Sequence, residues 1–491
     1  MLRAIGLILS VSLAHSASTG LLTPARAGVV QERAALYADY AKQLDDLAVW
    51  CESQQLDDAA QRIKTWKPKR GSDQLTLFVL PATSSESASD TARNAEWQKR
   101  WQRLRDEQAD RLYDLARRAV REHHPSVACQ LVTEAVRENP DHKQARRWLG
   151  YVKLRETWHT PFEVRQLGAG KFWDAKAGWL PKSHLPRYQK GQRYYQGRWM
   201  SADDEAKLRG DVKRGWRVET AHYIVTTNHS LEEGSRLAGQ LETLYAIWQQ
   251  VFIAFVADES ELERRFDGRA ARGETRQHNV VYYRTRDEYN DALRSTQPKI
   301  DITLGIYLDT SRTAYFFAGE DQDPGTLYHE ATHQLFYETR PAAADVGRRD
   351  NFWIIEGIAC YMESLADKRG YYTLGGMDAG RMPAARHRLL EDKFYVPLAE
   401  LVTIGLGDLQ HDSRIAKIYS QSAGLADFLM HAVSGRYREA LVRYLSAIYA
   451  GRANTHTLAE LTRTSYETLD RQYRAFMSEG AASETTDEAA R

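Results

Sequence analysis

Two histidines and two glutamates carry the most specific chemical signal in this chain. In Thr326-Leu327-Tyr328-His329-Glu330-Ala331-Thr332-His333-Gln334-Leu335 the histidines stand four positions apart, and a glutamate directly follows the first. On a helix four positions turn through about 400°, so the two imidazoles differ by only about 40° and can reach one metal ion from one face. Glu330, beside the first histidine, is placed to take a proton from a water at that metal. A hydrolytic zinc site keeps three protein ligands and one open position, so a third donor must arrive from another element. Trp353-Ile354-Ile355-Glu356-Gly357-Ile358-Ala359 offers one, because Glu356 is an acid in an otherwise apolar helical run. A buried, unpaired carboxylate is costly, and coordination to a metal removes most of that cost. These residues predict one Zn2+ per chain, with His329, His333 and Glu356 as ligands and Glu330 as general base. The competing explanation is a surface helix with two histidines and an unrelated core glutamate.

The two motifs together resemble the gluzincin zinc metallopeptidases, the thermolysin-like and aminopeptidase-like clan. The aminopeptidase branch carries Trp-x-x-Glu-Gly-Phe-Ala, and Trp353, Glu356, Gly357 and Ala359 match it, with Ile358 in place of the aromatic. The last ~300 residues also resemble secreted bacterial proteins that join Gly-Trp-rich modules and helical repeats to such a domain. The resemblance implies a thermolysin-like domain, a mixed sheet followed by a helical lobe, acting on a peptide or protein. It implies the same ligands and base, and an oxyanion stabiliser from the C-terminal helices. Tyr419 is the candidate for that role, with a packing tyrosine as the alternative; His431 and His411 are weaker choices. It implies an edge strand before the catalytic helix for substrate pairing, assigned to Thr313–Phe317. Two departures matter. The Gly-Ala-Met-Glu-Asn pattern of the aminopeptidases is absent, so nothing supports recognition of a free N-terminus. Thermolysin-like enzymes place an Asp four residues after the glutamate ligand to orient a histidine; here that position is Cys360, and Glu363 is the expected substitute.

The chain has 491 residues, room for several domains, and 43% hydrophobic content, enough for globular cores. A net charge of +1 gives no reason to expect nucleic acid as a partner. Arg3, the apolar run Ile5–Ala14 and Ala25-Arg26-Ala27 read as a signal peptide over 1–27, or alternatively as an uncleaved anchor. Export to the periplasm or the extracellular space follows, with no transmembrane segment after removal of the signal. Cys51, Cys129 and Cys360 are an odd, widely spaced set, read as small buried hydrophobes, with a Cys51–Cys129 bond as the alternative.

The elements needed to position this site follow an α+β layout. Residues 28–155 read as a helical region. It has two antiparallel helices with a break near 52–55, a Ser-rich loop over 83–89, and a second block over 92–154. Leu112, Leu115, Ala116 and Ala119, followed by Ala128, Val132, Ala135 and Pro140, fit one tetratricopeptide (TPR)-like repeat or a plain helical hairpin, in either case a place for a protein partner. Residues 156–216 read as a small Gly/Trp-rich β module of strands and turns around buried rings, with a carbohydrate-stacking surface as the functional alternative. A metallopeptidase domain is expected over 217–478. It opens with one strand at Val218–Thr227 and a helix capped by Ser230 that ends near Phe252. Strands at His278–Tyr283, Leu304–Leu308 and Thr313–Phe317 follow, then helices alone after Gly325, and a disordered tail over 479–491. The alternative function is a catalytically inactive scaffold of the same fold that binds through its helical and aromatic modules. The intact Glu330 argues against it.

Overall fold

The computed structural model describes residues 28–80, 92–269, 276–319 and 323–488. The signal-like segment 1–27 and the Ser-rich stretch 83–89 lie outside them. The architecture is α+β. Among the described residues no helix is long and apolar enough to cross a membrane.

The N-terminal region begins with helices Val29–Ser53 and Asp57–Trp66, separated at the expected break. Helix Ala92–Arg121 then pairs with Pro125–Glu138, whose buried face includes Ala128, Val132 and Ala135. The next helix, Lys143–Trp148, stops after six residues and the chain enters a β hairpin, so no second full helix pair follows. The cysteines are free and buried, Cys51 and Cys129 in separate cores.

Residues 152–208 fold as three ββα units that the sequence reading did not separate. Each is a two-stranded antiparallel hairpin and a short helix. The hairpins are Val152–Leu154 with Thr157–His159, Lys171–Asp174 with Gly178–Pro181, and Gln192–Tyr195 with Arg198–Ser201. The helices are Pro161–Gly168, Leu185–Gln189 and Ala202–Leu208. Trp158, Trp179 and Trp199 take the second position of each second strand. The expected buried aromatic centre is only partly present, because Trp158 is buried while Phe172 and Trp173 are exposed.

The C-terminal half is built on a five-stranded mixed sheet in the order Ile306–Leu308, Thr313–Phe317, His278–Tyr283, Tyr223–Thr227, Trp216–Glu219. The three central strands are parallel and both outer ones antiparallel. The single strand expected over Val218–Thr227 is a hairpin, because Thr220 and Tyr223 close a tight turn through Thr220 N–H to Tyr223 O at 2.9 Å. Ser230 caps helix Leu231–Val256 as expected, its Oγ accepting from Glu233 N–H at 3.1 Å. The stretch after Gly325 is not purely helical. Strands Ala366–Asp367 and Tyr372–Gly375 form a small sheet with Gln74–Leu77 from the N-terminal region, so that region is not a closed unit. The last helix, Tyr466–Glu488, runs into the stretch read as a tail.

The N-terminal helices dock on the C-terminal half through a shared apolar cluster with Ile253, Ala257 and Leu262 and through polar contacts at the start of helix Pro125–Glu138. Ser126 N–H donates to Glu439 Oε1 at 3.1 Å and Ser126 Oγ donates to Val251 O at 2.8 Å. Burial pushes the Glu439 carboxyl up to about 7 from an ordinary 4.5. The folded state then holds this proton more tightly than the unfolded chain, so stability falls as pH rises from about 4.5 to about 7. Glu439→Gln is expected to flatten that fall, read as the melting temperature measured at intervals across this window. An unchanged slope would show that Glu439 is not its source.

Candidate metal centre

Helix Pro324–Glu338 carries the first motif, and its start is fixed locally. Asp323 caps it, Oδ1 accepting from Gly325 N–H at 3.0 Å, and Pro324 takes the first-turn position where no N–H is needed. Its far end is tied to the sheet. Gln334 Nε2 donates to Asn279 O at 2.9 Å, and the buried Glu338 carboxylate meets His278 Nδ1 at 2.9 Å. Helix Phe352–Met362 carries the second motif and is buried along its whole length. Gly357 is required by close packing: a Cβ there would sit 2.7 Å from the backbone oxygen of Ser422 in helix Ile415–Gly435. The glycine after Glu356 therefore sets how near the Tyr419 helix approaches the site.

His329, His333 and Glu356 converge. The two Nε2 atoms are 3.1 Å apart, His329 Nε2 is 3.3 Å from Glu356 Oε2, and His333 Nε2 is 3.7 Å from the same oxygen. Ligands about 2.0–2.1 Å from a tetrahedral zinc lie roughly 3.3 Å from one another. The three spacings bracket that value, so the donor set fits a zinc ion in both chemistry and size. Burial alone would raise the Glu356 carboxyl; the His333 and His329 imidazoles outweigh it and hold it well below the usual carboxylate range.

A second layer orients the first. Glu363 Oε1 lies 2.7 Å from His329 Nδ1, which fixes that ring with Nε2 turned to the other ligands. Arg381 grips the same carboxylate with two hydrogen bonds, Nε to Oε2 at 2.8 Å and Nη2 to Oε1 at 2.9 Å. Cys360 Sγ stands farther off, 3.9 Å from His329 Nδ1. Glu363 thus takes the orienting place anticipated for it. Arg381 was missed, and its sequence surroundings carry no signal for the role.

Glu330 is partly buried, and burial pushes its carboxyl above the ordinary value against the pull of His329 and His333. Its Oε2 accepts from the backbone N–H of Tyr307 at 2.8 Å. That contact corrects the assignment of the edge strand. Thr313–Phe317 lies inside the sheet, paired on both sides, and the edge beside helix Pro324–Glu338 is Ile306–Leu308. The Tyr419 hydroxyl faces the Glu356 carboxylate; burial above all, then that neighbouring carboxylate, keeps it a neutral phenol. The two histidine alternatives are engaged elsewhere, His431 with the Tyr361 hydroxyl at 2.9 Å and the exposed His411 with Gly407 O at 2.7 Å.

Removing the orienting carboxylate tests this layer. Glu363→Ala is expected to weaken zinc affinity by roughly 10–100-fold without unfolding the chain, read by competition with a chromogenic chelator. Unchanged affinity would mean that Glu363 does not support His329. No protein-family model matches this chain. No curated protein matches it either.

Proposed function

We propose that the chain is an exported zinc-dependent peptidase of the gluzincin type. The observation that carries this reading is the set of three donor atoms at zinc-ligand spacing, with Glu330 directly after His329 on the helix that carries both histidines. Zinc held by His329, His333 and Glu356 would supply the Lewis acidity that polarises a carbonyl and eases deprotonation of water. The remaining work falls to the chain's own residues. Glu330 takes the proton of the attacking water and returns it to the leaving amine. Its raised affinity for a proton suits that exchange, and the Tyr307 N–H holds one oxygen so that the other faces the reaction. The neutral Tyr419 hydroxyl is a donor for charge that develops on the substrate oxygen. The edge strand Ile306–Leu308 offers backbone groups for an extended substrate. Glu330 and its support are intact, which weighs against the inactive scaffold.

Glu330→Gln is expected to lower peptide hydrolysis by at least 10²-fold while zinc stays bound, measured on a quenched fluorescent peptide library with metal content checked in parallel. Residual activity near wild type would remove Glu330 from the reaction. Tyr419→Phe separates its two possible roles. A donor to the oxyanion predicts a kcat loss of about 10²-fold or more with KM little changed, whereas a packing residue predicts almost no kinetic effect.

A further inference from the structure

A second concavity, of about 1080 Å³, lies between the first two ββα units, the hairpin turn near Thr220 and helix Leu231–Val256. None of His329, His333, Glu330 or Glu356 lines it. Part of its wall is aromatic, with the rings of Trp158, Phe162, Trp173, Trp179 and Tyr245. Trp179 lines it, edge-to-face with Trp173 at 5.8 Å and with Phe162 at 6.2 Å. Trp173 is 40% exposed although it lies in a paired hairpin, which leaves ring surface open to a ligand.

The polar groups facing this cavity are mixed donors and acceptors. Glu242 spends both carboxylate oxygens on His222, Oε2 with Nδ1 at 2.6 Å and Oε1 with the backbone N–H at 2.7 Å. The His222 ring is also stacked on Tyr245 at 3.6 Å. It is therefore rigid, and its Nε2 has no partner among the described residues. Tyr245 is only 3% exposed, and its hydroxyl likewise has no hydrogen-bond partner among those residues. Burial keeps this phenol neutral. Gln249 and Arg147 also line the cavity with side chains that make no hydrogen bond among the described residues. Pockets that bind small ligands combine aromatic walls with a few such groups, and ~300–1,000 Å³ suits a ligand of several rings.

This combination favours one chemical class. A nucleic acid would need a run of positive charge, but the three cations Arg147, Lys153 and Arg165 share the cavity with the two carboxylates Glu163 and Glu242, which leaves one net positive charge. A sugar ring presents a C–H-rich face that stacks on indole, and hydroxyls that both donate and accept. We propose that this cavity is a binding site for a neutral oligosaccharide of about three to four sugars, stacked on Trp179 and hydrogen-bonded by Tyr245, His222, Gln249 and Arg147. The ββα array would then tether the chain to glycan while the metal centre acts elsewhere on its surface. The proposal does not depend on the peptidase reading.

Isothermal titration of the full chain with chitotetraose, cellotetraose and maltotetraose tests it. Saturable binding of at least one, near one per chain, is expected. Trp179→Ala and the milder Gln249→Leu should each weaken it, Trp179→Ala by at least 10-fold, with metal content unchanged. Failure of all three sugars to saturate would overturn the proposal, and so would affinity that survives both substitutions. Gln249→Leu, away from the hairpins, keeps the test decisive if Trp179→Ala does not fold.

Discussion

A carboxylate buried in an apolar helix against two imidazoles is the constraint around which the C-terminal half is arranged. Glu356 lies among Trp353, Ile354, Ile355 and Ile358, all buried, where an uncompensated charge would be strongly destabilising. Its partners must therefore be delivered with small error, and they come from a different helix. The cap at Asp323, the Gln334 and Glu338 ties to the sheet, and the apolar packing of helix Phe352–Met362 all fix the relation between those two helices.

The same constraint spreads outward. His329 must turn Nε2 toward Glu356, which requires something at Nδ1, and Glu363 supplies it with Arg381 behind. Helix Ile415–Gly435 carries Tyr419 to the neighbourhood of Glu356, and Gly357 permits that approach by presenting no side chain to Ser422. On the opposite flank the edge strand is near enough for the Tyr307 N–H to hold Glu330. Sheet, helical lobe and edge strand thus meet at one group of four side chains.

Much of this was readable where the information is local. His329, Glu330 and His333 share a helical turn, and Glu363 lies seven positions after Glu356, at the C-cap of the same helix. The Ser230 cap and the strands His278–Tyr283 and Thr313–Phe317 follow from short-range patterns. What was not readable depends on partners distant in sequence. Nothing in Gln74–Leu77 says that it pairs with Tyr372–Gly375, and nothing in Thr313–Phe317 says that Ile306–Leu308 covers its outer side. The ββα units show in the sequence as Trp158, Trp179 and Trp199 about 20 residues apart, each followed by a closing glycine, but each unit is too short to declare its strands and helix separately, and the cavity beside them exists only once they fold back on helix Leu231–Val256.

The central claim is that His329, His333 and Glu356 together hold one zinc ion. Metal content per chain, measured by elemental mass spectrometry on the purified protein, tests it most directly. Close to one zinc per wild-type chain, with almost none in a folded Glu356→Ala variant, is the expected result. No zinc after reconstitution, or equal zinc in both proteins, would contradict it.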